Sequence, residues 1–185
     1  MTMPPALRRF ALTVHLIVSV GWIGALAAYL ALDLAVTTSQ SHGTLRAGYL
    51  AMELITLQVI VPLAVASLLT GLVMALGTKW GLFRHYWVII SLLLTVFAVL
   101  VLLSEARVVS ALAAVAGDPG TSPDDLRALP GTLVHSMGGL VVLFVVTVLN
   151  IYKPRGMTRY GQRRLREQRR APTRTEDSDP PVHVS

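Results

Sequence analysis

The chain of 185 residues contains no cysteine. That absence excludes disulfides, thiolate metal sites, a cysteine nucleophile, c-type haem attachment and iron–sulfur clusters of the usual kind. Charge is scarce too, at 14% of residues, and aromatics make up only 6%. A soluble domain carries about 25% charged residues. With 54% hydrophobic residues instead, the composition places the chain in the membrane class. Soluble-enzyme signatures are missing as well: there is no phosphate-binding loop, no GxSxG elbow and no HExxH pair.

What is present is four long apolar runs, at 10–36, 48–76, 84–116 and 132–152. Each is long enough to cross a hydrocarbon core, which takes ~20 helical residues. Lipid cannot satisfy open backbone groups, so helices are the expected form. The breaks carry turn chemistry: TTSQSHG at 37–43, GTKWG at 77–81, and GDPGTSPDD at 117–125 followed by Pro130-Gly131. The pattern predicts an all-α fold, a four-helix transmembrane bundle over residues 1–152. The first run, preceded by Arg8-Arg9, is longer than a usual signal core and reads as a retained span.

The net charge of +6 is uneven. Residues 1–152 hold seven Lys/Arg against six Asp/Glu, and residues 153–185 hold nine against four. If both termini are cytoplasmic, the inner side carries Arg8, Arg9, Lys79, Arg84 and the nine tail residues, thirteen in all. The outer side then carries only Arg46, Arg107 and Arg127. The positive-inside rule therefore predicts cytoplasmic termini in a bacterial cytoplasmic membrane, with Trp80, Phe83, Tyr86 and Trp87 as an inner interfacial belt. The tail starts basic and ends acidic with prolines. It reads as a disordered cytoplasmic segment that meets anionic lipid headgroups, and no base-reading chemistry suggests a nucleic-acid partner.

Helical spacing sorts the polar residues by face. On the first helix Ser19, Trp22, Leu26, Tyr29 and Asp33 fall within about 40° of His15. Gly21, Gly24 and Ala28 lie opposite, as a strip suited to close helix packing. On the second, Glu53 shares a face with Thr56, Ala64, Ser67, Thr70 and Gly71, while Pro62 lies opposite as a candidate kink. Glu105 aligns with Trp87, Ser91 and Ala98, and His135 with Gly138, Gly139, Val142 and Val146. Depth then separates two layers. His15 and His85 belong near the inner side, and Asp33, Glu53, Glu105 and His135 toward the outer. By helical rise His15 and His135 stand about 16 Å apart along the normal, which disfavours them as two axial ligands of one iron.

Imidazole is the commonest biological metal ligand. His15 is therefore a candidate haem or metal ligand, with His85 as a second donor. The alternative is a histidine hydrogen-bonded to Ser19 or to a neighbouring backbone. Glu53, Glu105 and His135 could bind a metal ion, pass protons, or form a structural ion pair with Arg107. Met52 and Met137 offer soft ligands to copper.

His15, Trp22 and Gly24 on a first membrane helix resemble the first-helix pattern of copper-resistance D membrane domains. They also resemble HemJ-type protoporphyrinogen oxidases, which are small four-helix haem-b membrane proteins. Residues 8–165 as a whole look like a bacterial family of predicted integral membrane proteins without an assigned function. The segments that carry this second resemblance are ALTVHLIVSVGWIGA, GYLAMELI, SLLTGLVMALGTKWGLFRHYWVIISLLLT and TVLNIYKPRGMTRYG. The first resemblance implies a haem b or copper ligand at His15, with Trp22 and Gly24 as its packing neighbours in the cofactor site. The HemJ group also uses a lysine on its third helix, and the third run here has none. Three functions remain in view: a redox-cofactor protein serving electron transfer, haem handling or membrane oxidation; an accessory subunit or scaffold of a membrane complex; and a metal-ion or solute carrier, which with four helices would work as a homo-oligomer.

Overall fold

A computed structural model describes residues 3–77 and 85–154, together with 156, 158 and 161–163. Lys79, Trp80, Phe83 and Arg84 lie outside the described residues, as does the tail beyond 163. The chain forms α1 (Pro5–Thr38), α2 (His42–Ile55), a π-helical turn (Thr56–Ile60), α3 (Val61–Gly77), α4 (Tyr86–Gly117), α5 (Pro123–Ala128) and α6 (Leu133–Tyr152). Among the described residues every regular element is helical. Among the described residues four helical stretches are long and apolar enough to cross a membrane: α1, α2 continued through the π turn into α3, α4, and the α5–α6 segment. The protein is a four-helix transmembrane bundle.

Local chemistry sets the boundaries. α1 opens on Pro5, whose missing N–H is harmless in a first turn. Ser41 caps α2 by accepting from Thr44 N–H, and Ser122 caps α5 by accepting from Asp125 N–H. α6 ends where Lys153 turns left-handed, at φ 44°, just before Pro154. Ahead of Pro62 the chain takes a wider turn, in which Val61 N–H donates to Thr56 C=O. Proline supplies no N–H and crowds the preceding turn, so the expected kink takes the form of a π bulge.

Neighbours follow an up-and-down ring. α1 packs on α2, α3 and α6, and α4 packs on the same three. α1 and α4 therefore face each other across the bundle. The best-packed part lies away from the chain termini, where Val36, Leu45, Tyr49, Met52, Val109, Leu112, Ala116 and Leu126 form a core. Gly48 lets α2 meet α1 there, because any Cβ at this position would collide with Val36. The far end extends beyond the fourth helix. α1 has 34 residues and α4 has 32, whereas α6 has 20. At 1.5 Å per residue only α6 matches a ~30 Å hydrocarbon core, and the other spans are about 18–24 Å longer in total, counting both ends.

The strip of small residues on α1 does not pack as expected. Gly21 does sit against Leu63 of α3, but Gly24 and Ala28 are exposed and nothing approaches a Cβ placed on Gly24. The wide face of α1 bearing Trp22, Leu26, Tyr29 and Asp33 takes the interior instead, because bulky side chains fill a four-helix core better than glycine does.

Candidate functional site

Three groups of polar residues project into the bundle. On the terminal side, His15 is half-buried and its Nδ1 lies 2.9 Å from Thr70 Oγ1 of α3. Thr70 has one hydroxyl proton, and it points to the carbonyl of Ala66 at 2.7 Å. Toward His15 the hydroxyl is therefore the acceptor. His15 carries its proton on Nδ1, and Nε2 keeps a lone pair. Gly71 makes room for the ring, since a Cβ there would stand 3.2 Å from His15 Cε1. Ser19, the expected partner, instead pairs with Ser67 at 2.8 Å.

Midway along α1, Trp22 is buried. It forms part of the wall of a cavity of about 400 Å³, bounded by α1, the π turn, α4 and α6. Thr56 and Ile60 reach this cavity from the π turn, as functional π bulges often do. His15 is not among its walls. At the end of the cavity away from the termini, Glu105 Oε1 of α4 faces His135 Nε2 of α6 at 3.4 Å. This contact is an ion pair when the imidazole is protonated. His135 keeps 54% of its side chain exposed, whereas Glu105 keeps 20%.

The third group sits just beyond. Asp33, 1% exposed, accepts from Thr132 O–H at 2.8 Å, from Ser136 O–H at 3.1 Å and from Thr132 N–H at 3.4 Å. Since Thr132 spends its proton on Asp33, the 2.8 Å contact with Tyr29 has the phenol as donor. Hydroxyls thus run in one direction, from Tyr29 on the cavity wall through Thr132 to a buried carboxylate.

Of the six site residues expected from sequence, the fold brings Glu105 and His135 together. Glu53 does not join them, and no group of three or more His, Asp or Glu side chains converges among the described residues. The π turn supplies the reason. One extra residue per turn rotates α2 relative to α3, so Met52, 1% exposed, takes the inward place and half-buried Glu53 falls beside it. Arg107 is exposed, and the partner of Glu105 is His135 instead. His85 occupies the cap position of α4 and stacks on Trp87, ring centroids 6.4 Å apart. The hydrogen bond of His15 goes to α3 rather than to His85. Sequence reasoning placed Asp33 on the interior face but overlooked Thr132 and Ser136, whose i, i+4 spacing on a span opposite that carboxylate was the available signal.

No protein-family model, curated protein or solved structure matches the chain. The likeness to copper-resistance D domains, HemJ-type oxidases and an unassigned bacterial family therefore rests on the quoted segments alone.

Proposed function

We propose that the protein is a small integral membrane protein that holds a redox cofactor, haem b, within its bundle through His15. The observation that carries this reading is the directed contact with Thr70, whose hydroxyl oxygen accepts from Nδ1–H and so leaves the Nε2 lone pair free to ligate a metal. Metal-bound histidines are oriented in this way, by a hydrogen bond from the second ring nitrogen. A second observation points to the same level. The hydroxyl of Ser91 on α4 is buried with no hydrogen-bond partner, and by helical rise it stands at about the depth of His15 on the opposite helix. A polar or metal-bearing group between α1 and α4 would answer both. Bound haem would supply one-electron chemistry. The chain's own part is to fix the imidazole through Thr70 and to leave it space at Gly71.

The thirteen-to-three distribution of basic residues supports cytoplasmic termini in a bacterial cytoplasmic membrane, and the basic tail has the charge to meet anionic headgroups. Copper is the less favoured cofactor, because His15 has no second soft donor described beside it. One observation favours a subunit role as a second reading. In the most apolar stretch of each spanning helix at most 22% of residues are buried, which leaves much surface for another copy or a larger complex.

The test is a visible spectrum of the full chain in mild detergent, oxidised and then reduced with dithionite. A Soret peak with sharp reduced bands is expected. His15→Ala should abolish it, Thr70→Val should shift its midpoint potential, and His135→Ala should leave it intact. Colourless protein from cells supplied with haem precursor would refute the haem reading and leave the subunit role in its place.

A further inference from the structure

The cavity between α1, α4 and α6 is not used by ligation at His15, and its chemistry is different. Its mouth lies between α4 and α6, where Phe97 and Val134 are strongly exposed and Gly138 is open. In a membrane that side faces lipid. Its polar groups gather at one end: Glu105, His135 and the Tyr29–Thr132–Asp33 chain. The opposite end is apolar, with Trp22, Ile60, Phe97 and Leu143. Since α6 alone matches the hydrocarbon thickness, its first turn stands at a headgroup boundary, and His135 is in that turn. A fitting ligand thus has a polar head at the boundary and an apolar body running inward. A volume of about 400 Å³ is in the range of small-molecule sites.

Charge and shape narrow the head. Among the described residues the walls contain no Lys or Arg, while Glu105 lines the cavity and Asp33 lies directly behind Thr132. An anionic phosphate head would meet carboxylates there, which is unfavourable at low dielectric. Trp22, Ile60, Phe97 and Leu143 at the other end suit a hydrocarbon chain, so the cavity selects an amphiphile and the polar pair selects its head. His135 can donate to a carbonyl, and Glu105 can accept from a hydroxyl.

We propose that this cleft is a binding site, entered from the bilayer between α4 and α6, for a lipid-soluble quinone or its quinol. His135 donates to a ring carbonyl, Glu105 accepts from a hydroxyl of the quinol, and the hydrocarbon chain of the ligand runs past Phe97 and Trp22. The site stands independently of any haem at His15, and binding alone is claimed for it.

Trp22 is the natural reporter, because the chain has three tryptophans and the other two, Trp80 and Trp87, can be replaced by Phe. Decylubiquinone titrated into this full-length variant in detergent should quench Trp22 fluorescence saturably. Gly138→Leu should abolish the saturable part by filling the cleft, since nothing lies within 4 Å of a Cβ there. His135→Ala should weaken it about tenfold, the worth of one good hydrogen bond. Circular-dichroism melting of each variant guards against misfolding. Quenching that is linear, or unchanged in folded Gly138→Leu and His135→Ala, would overturn the site. Equal competition by phosphatidylglycerol would overturn the quinone assignment in favour of a phospholipid, and stronger competition by dodecylamine would do so in favour of a cationic amphiphile.

Discussion

Asp33 organises the far end of the bundle residue by residue. A carboxylate in a membrane helix is expensive unless its lone pairs are used, and three donors from the start of α6 use them. Asp33→Leu strands the Thr132 and Ser136 groups together. A loss of about 2–3 kcal/mol is expected in a denaturant titration of the detergent-solubilised protein. Ser19→Ala breaks one hydroxyl pair and should lose less than about 1 kcal/mol, in line with isolated interhelical hydrogen bonds. Equal effects would show that Asp33 has no such role. Glycines separate in the same way. Gly48→Ala drives a methyl into the β-branched, stiff Val36 and should lose about 1–3 kcal/mol. Gly24→Ala meets open space and should stay within about 0.5 kcal/mol.

At the scale of elements, the end of α4 is held by a side chain from α2. Arg46 donates through Nε to the carbonyl of Ala116 at 2.6 Å and through a terminal nitrogen to that of Asp118. These are orphan acceptors at the negative end of the helix dipole, where a guanidinium is well placed. Arg46→Ala should lower stability by about 1–2 kcal/mol. Arg46→Lys should restore only part of it, because one ammonium cannot match a two-pronged fork. Thermal melts of the three proteins would decide. An unchanged melting point in Arg46→Ala would mean that water serves the two carbonyls equally well. The helices themselves were legible in apolar run length, with ends within two residues of 10–36, 48–76, 84–116 and 132–152 except at the starts of the first two, which lie five and six residues earlier. The π turn was not, because Pro62 announces a disturbance without saying whether the chain will bend or widen. The π turn left unread is what sets Glu53 beside the site.

For the whole molecule, the absence of cysteine becomes an experimental advantage. Single cysteines at Gln40 and Asp125 mark the far end, both being exposed. With cytoplasmic termini, a membrane-impermeant maleimide should label both in intact cells, and a cysteine at Thr2 only after lysis. The opposite pattern would invert the bundle and place the basic tail outside. The far end should also survive best under denaturant, since its core is continuous from Val36 to Leu126, whereas the terminal half buries mainly Trp87, Val88 and Ser91. Hydrogen exchange should therefore be slower around Tyr49 and Leu112 than around Leu12 and Leu93. Uniform exchange along the helices would contradict this gradient.

The sequence by itself determined the membrane class, the number of spans and the inward face of α1, because hydropathy and a 100° turn are local properties that each segment carries alone. It also determined that Glu105 and His135 belong to one layer, since depth follows from counting residues along a helix. Which polar groups touch was decided only by tertiary structure. His15 meets Thr70 rather than Ser19, Glu105 meets His135 rather than Arg107, and Asp33 meets Thr132 and Ser136. Azimuth between helices depends on how neighbouring side chains interlock and on one π turn, and no single segment contains that information.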